Sequence, residues 1–243
     1  MTTLDKQLLA IASTPLKTIP DVIATLEALG DALPDGDGLK WFNWLYLTVT
    51  KAVDLSLAAR PWHNPDWVAR LDVVFAALYT DALTRWLTPG QAPPECWAVL
   101  FRARNDARLA RIQFALGGMN AHIDHDLALA VMNTCSEFHL PPIHLSQEYQ
   151  DYCAVNELLD AIIERAKKEL LTGLLGNNLP CIQLVENLAA MWGLRATREA
   201  AWTNAEMLCA TRLVPGLAAR FLAGLDSRAT LAGRGLLVPV GTR

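Results

Sequence analysis

From Asp106 to Phe138 the chain reads DARLARIQFALGGMNAHIDHDLALAVMNTCSEF, with apolar residues at helical spacing and no charged face opposite them. At about 100° per residue, Ile112, Leu116, Met119, Ile123, Leu127 and Ala130 form one arc. Gln113 and Asn120 lie on one shoulder of it, and His122, Asp126 and Asn133 on the other. The back holds Ala110, Phe114, Gly117, Gly118, Ala121, Ala128 and Met132, with His125 as its main polar member. A helix with no Lys- and Glu-rich face belongs inside a fold. Its polar groups must then be satisfied internally or face a cavity. Gly117-Gly118 costs helix stability, about 1 kcal/mol per glycine relative to Ala, so a neighbouring helix or a ligand is expected to approach closely there.

The same spacing predicts helices along most of the chain. Leu4 to Ala12 and Asp21 to Leu33 form short N-terminal ones, followed by a PDGDGL loop. Trp41 to Ala59 reads as a long helix with Trp41, Trp44, Leu45, Thr48, Ala52 and Leu55 on its apolar face, and Asn43, Tyr46, Thr50 and Asp54 around the other side. Asn64-Pro65 supplies an N-cap and a first-turn proline for a helix running to about Leu87. Pro93-Pro94 precedes another, ending near Asn105, and Asp106 is placed to cap the central helix. Tyr149 to Leu171 is amphipathic, with Val155, Leu158, Leu159 and Ile162 inward. Ile182 to Trp192, Glu199 to Leu213 and Gly216 to Leu225 complete the set. No strand alternation or repeat is present. The expected fold is all-α: one domain over 1–243, with short helices in 1–40, a helical core in 41–225 built around 106–138, and an extended tail in 226–243 whose apolar residues pack back onto the body.

Composition narrows the function classes. With 52% apolar and 19% charged residues, a chain of 243 residues can build a sizeable core. A net charge of -4 without a basic block argues against nucleic acid. No apolar run is long enough for a membrane span. The N-terminus, MTTLDKQLLAIAST, lacks the pattern of a secretory signal, and the five cysteines contain no CxxC pair. A cytoplasmic protein with reduced thiols is expected.

His122 and Asp126 are the leading candidates for chemistry. Four residues apart, they share a helical stripe, and a carboxylate beside an imidazole raises its basicity and fixes its orientation. The same pair offers one nitrogen and one oxygen to a divalent metal, with Asp72 and Glu206 as further candidate ligands. It could equally be a buried polar pair that locks packing. His125 and Asp124 fall on other faces of a regular helix. Gln113 and Asn120 are candidates for hydrogen bonds to a substrate, and Trp202 for the wall of an apolar cavity. Asp35 and Asp37 in DGDG lack the distal ligand of a calcium loop and read as a turn. No GxSxG, Walker loop, Rossmann fingerprint or HExxH occurs.

The blocks GGMNAHIDHDLALAV, WFNWLYLTVTKAV, RLDVVFAALYTDAL, DYCAVNELL and AAWTNAE resemble a bacterial family, domain-of-unknown-function family 5995, from about Trp41 to Val240. The resemblance implies a helical domain and carries no reaction. The residues themselves point to an enzyme acting on a small, largely apolar molecule between helices, as a monomer or homodimer. The competing reading is a helical ligand-binding or protein-interaction protein whose polar residues serve packing.

Overall fold

Thr2 and Thr18 open the first two helices with reciprocal capping boxes, each hydroxyl accepting from the backbone of an aspartate three residues on, whose carboxylate accepts in return. They start α1 (Thr3–Ala12) and α2 (Ile19–Ala32) in a computed structural model that describes residues 1–172, 193–214 and 216–239 and, of residues 161 and 163–172, the backbone alone. Next come α3 (Leu39–Ala59), α4 (Pro65–Leu87) and α5 (Glu95–Ala103). The central segment is α6 (Arg111–Ala121), a π-helical turn (His122–Asp126) and α7 (Leu127–Glu137). Then follow α8 (Gln147–Thr172), α9 (Leu194–Thr211) and α10 (Leu217–Leu236). The fold is all-α, with no strand among the described residues. No helix among them is long and apolar enough to cross a membrane. The helix expected over Ile182 to Trp192 lies outside the described residues.

The central segment is buried through most of α6 and the π-turn. α6 packs on α3, α5 and α10, while α7 packs on α4 and α9. All residues from Ile112 to Ile123 are buried, and one apolar core runs from Leu8 on α1 to Leu236 on α10. Phe42 lies flat against Gly118: a β-carbon there would sit 2.2 Å from the ring. A β-carbon at Gly117 would instead meet the Leu237 side chain, at 3.3 Å.

Four details depart from the sequence reading. The central helix begins at Arg111, because Asp106 is occupied in its own turn, accepting from the Arg108 backbone and guanidinium. Ala110 is capped by the Gln113 side chain, which accepts from its N–H at 3.0 Å. On α3 Leu45 is buried as expected, but the buried face also carries Phe42, Asn43, Tyr46, Thr50 and Val53, bringing inward Asn43, Tyr46 and Thr50 from the other side, while Leu55 is exposed. Polarity alone misplaced that face, since Asn43 is buried by donating to the Leu26 carbonyl. The tail is helical to Leu236, so α10 extends well past Leu225. Its Gly233 is a point of close approach, where a β-carbon would sit 3.3 Å from the Asn120 amide nitrogen and where a helix break was expected.

The loop before α3 is a turn built on a buried ion pair. Asp37 caps α3 through the Leu39 N–H and accepts from Arg104 Nε at 2.7 Å. This ties the start of α3 to the end of α5 and fixes the wall that faces His122.

Candidate functional site

Between His122 and Asp126 the helix widens: the Leu127 N–H reaches back five residues to the His122 carbonyl. Such π-turns are rare and concentrate at functional positions. Here the turn brings His125, which a regular helix would place on another face, together with His122 and Asp126. His122 Nδ1 lies 3.0 Å from Asp126 Oδ2, and His125 Nδ1 lies 2.7 Å from Asp126 Oδ1. The Trp97 indole, from α5, donates to Asp126 Oδ2 at 2.8 Å. His125 therefore belongs to the same cluster as His122, contrary to its expected place on another face. All of these residues are buried.

One carboxylate holds two imidazoles and an indole, and this sets the protonation states. Burial works against charge on Asp126, but hydrogen bonds from both imidazoles keep its carboxyl below its usual range. Burial pushes His122 down by more than Asp126 lifts it, so its imidazole is held neutral. Burial also works against charge on His125, but Asp126, helped by Asp226, outweighs it and leaves that imidazole above its ordinary value. With Nδ1 carrying the proton toward Asp126, Nε2 of His122 presents a bare lone pair. That nitrogen is buried and has no hydrogen-bond partner among the described residues.

Aromatic rings hold the imidazole in place. Phe75 stacks on it at 3.5 Å between centroids and 5° between planes, and Tyr46 meets it edge-on at 4.7 Å. Phe42, Trp97 and Tyr79 complete the cage. In front of this cage lies a narrow apolar cavity of about 80 Å³. Valines, leucines, Phe42, Phe75 and Met119 form most of its wall. Its polar members are His122, Tyr46, Asp72 and Arg198. The Tyr46 hydroxyl and Asp72 Oδ2 are, like His122 Nε2, buried without hydrogen-bond partners among the described residues. Burial, with the Asp54 charge adding, pushes the Asp72 carboxyl up to about 7. Burial also raises the Tyr46 phenol well above its usual value, with the Asp72 and Asp126 charges adding, so it stays protonated.

The remaining sequence candidates lie elsewhere. Gln113 grips the C-terminal segment, donating to the carbonyls of Leu236 and Val238 at 2.9 and 2.7 Å. Asn120 donates to the Ala229 carbonyl on α10 at 2.7 Å. Both anchor α10 and its continuation and do not line the cavity. Trp202 is fully buried among Trp67, Tyr149 and Tyr152, a core residue behind another wall.

The proposed metal set is not assembled. Asp72 shares the cavity with His122, but Glu206 accepts from His144, whose other ring nitrogen meets Glu199 at 2.8 Å. Among the described residues no three His, Cys, Asp or Glu side chains are grouped to hold a metal ion. Among the described residues a divalent metal in the cavity would find one imidazole nitrogen and the Asp72 carboxyl, without a grouped third ligand.

Sequence reasoning missed Tyr46, Phe75, Trp97 and Arg198. Arg198 left a readable signal: on α9 it falls in register with Leu194, Ala201, Trp202, Ala205 and Leu208, all buried. An arginine on an inward stripe needs a reason to be there.

Fold and site together define an all-α protein with a carboxylate-oriented histidine facing an apolar cavity. The chain belongs to DUF5995, a family of unknown function whose sequence profile matches residues 19–239. Searches of curated proteins and of solved structures returned no match.

Proposed function

We propose that this protein is an enzyme that takes a small, largely apolar molecule into the cavity and moves a proton on it, with His122 as general base. The observation that carries this reading is the bare, buried Nε2 of His122 facing an apolar cavity while Asp126 holds Nδ1. Leaving a buried polar atom unpaired costs about 1–3 kcal/mol, and a bound ligand would offset that cost. Asp126 orients the imidazole and stabilises the imidazolium formed when Nε2 takes a proton; His125 and Trp97 position Asp126. Asp72, with its carboxyl shifted to about 7, and the Tyr46 hydroxyl can donate to oxygen on the same ligand. A base and neutral donors around an apolar space suit proton abstraction next to a carbonyl, as in an isomerase or lyase that works without a cofactor.

Two steps test it. Protein labelled at methionine methyls is titrated with medium-chain alcohols and ketones, and the Met119 signal is expected to shift. The bound ketones are then followed in D2O, where wild type should accelerate exchange at the carbon next to the carbonyl and His122→Gln should not. A Met119 signal unmoved by every probe, or equal exchange in both proteins, refutes the reading.

A further inference from the structure

Arg198 is buried, with 5% of its surface exposed, and it reaches the wall of an apolar cavity. Its guanidinium is pinned in place. Nε donates to Asn156 Oδ1 at 2.6 Å, Nη2 donates to the Tyr152 carbonyl at 3.0 Å, and the Tyr152 ring lies 4.2 Å beneath the charge. These contacts fix a direction but supply no negative charge, because Asn156 and a carbonyl are neutral. Among the described residues no carboxylate pairs with Arg198, whereas the other buried arginine, Arg104, is paired with Asp37. Nη1 makes no hydrogen bond to any described residue. A buried guanidinium without a counter-ion is costly, and arginines in that position are paired in almost all folded proteins.

The charge and the base stand on different walls. Arg198 projects from α9 and is bonded to α8, whereas His122, Tyr46 and Asp72 sit on the π-turn, α3 and α4. The rest of the lining includes Val155 and Leu159 from α8 and Leu71, Met119 and Leu127 from the other helices. A ligand that uses all of this surface carries an anion at one end and an apolar body at the other.

Building on the cavity reading above, we propose that Arg198 is the anion anchor of this site and that its ligands are apolar monocarboxylic acids. The carboxylate takes the free Nη1 edge and the second N–H of Nη2, the two-pronged arrangement that guanidinium and carboxylate share. The acyl or aryl body fills the apolar part of the cavity and reaches toward His122. One guanidinium matches one carboxylate charge. A phosphate dianion would leave a charge unmatched, since among the described residues no second cation lines the cavity. Arg198 is a binding residue, and proton transfer remains with His122.

Octanoate and 4-phenylbutyrate are compared with the matched alcohols by calorimetric titration of the full-length protein. A charge-assisted pair predicts that each acid binds at least about tenfold more tightly than its alcohol. In Arg198→Gln that preference should collapse to about equal binding, and Arg198→Lys should recover part of it. Because the comparison of acid with alcohol is made first in wild type, it does not depend on the variants folding. Alcohols binding as tightly as acids, or an acid preference that survives in folded Arg198→Gln, refutes the anchor and leaves the cavity reading standing. Failure of acids and alcohols alike to bind wild type refutes both.

Discussion

Asp126→Asn preserves the size of the side chain at the centre of the cluster and removes its charge. Asp126 accepts from Trp97 and His122 on one oxygen and from His125 on the other. Asn offers one oxygen and one NH2 group in their place. The Trp97 indole can only donate, so the remaining oxygen must stay where Oδ2 was, and His122 stays with it. The NH2 group then faces His125 Nδ1, which must give up its proton and become an acceptor. The tautomer change therefore falls on His125, while His122 keeps Nδ1–H and a bare Nε2. Hydrogen bonds to a charged partner contribute about 1.5–3 kcal/mol and neutral ones about 0.5–1.5. Converting three bonds from charged to neutral removes about 3–4 kcal/mol, close to the cost of breaking other buried pairs, about 3–5 kcal/mol. Urea unfolding reads the stability loss, and long-range 15N correlation spectra read both tautomers. A His122 that moves its proton to Nε2 while His125 stays unchanged, or a stability loss below about 1 kcal/mol, would refute this reasoning.

Further outcomes follow from the packing and the protonation states. Gly118→Ala must displace a Phe42 ring that is itself enclosed by Tyr46, Tyr79 and Trp97, so overpacking of about 1–3 kcal/mol should exceed the helix gain of about 1 kcal/mol and destabilise the protein. Gly117→Ala meets only the movable Leu237 side chain and should be neutral or stabilising; the reverse order in urea midpoints would contradict the packing described. Asp72 has a folded value of about 7 against 3.8 unfolded, so its contribution is whole below 3.8 and is lost as pH rises toward 7. Asp72→Asn should therefore raise stability at about pH 8, by at most about 4 kcal/mol, and change it little at about pH 4. A difference that does not vary with pH would show that Asp72 is not held protonated by burial.

Much of the fold was legible from periodicity because helices leave a strong pattern. α4 starts and stops where Asn64-Pro65 and Leu87 placed it. The central segment was readable as buried because it lacked charge on every face, and the four-residue spacing of His122 and Asp126 was enough to pair them. The π-turn was not readable, since HIDHD fits a regular helix equally well, and with it went the place of His125. Gln113 and Asn120 were correctly read as buried, but a buried amide looks the same in sequence whether it faces a ligand or a backbone carbonyl. Their partners, at Leu236, Val238 and Ala229, are more than a hundred residues away. Gly233 and Gly235 suggested an extended tail because glycine weakens helices, yet Gly233 lies within α10, where a β-carbon would come within 3.3 Å of the Asn120 amide on α6. Trp97 and Arg198 reach the site by tertiary packing of α5 and α9, which no local pattern encodes.

The state of His122 is the most direct test of the proposed chemistry. In 15N spectra of histidine-labelled protein from about pH 5 to about pH 8, His122 is expected to stay neutral over most of the range, with its proton on Nδ1 and a bare Nε2. Its Nε2 resonance should move when an apolar alcohol or acid occupies the cavity. An imidazolium at neutral pH, a proton on Nε2, or a resonance indifferent to a bound ligand would contradict the assignment of His122 as a base facing its substrate.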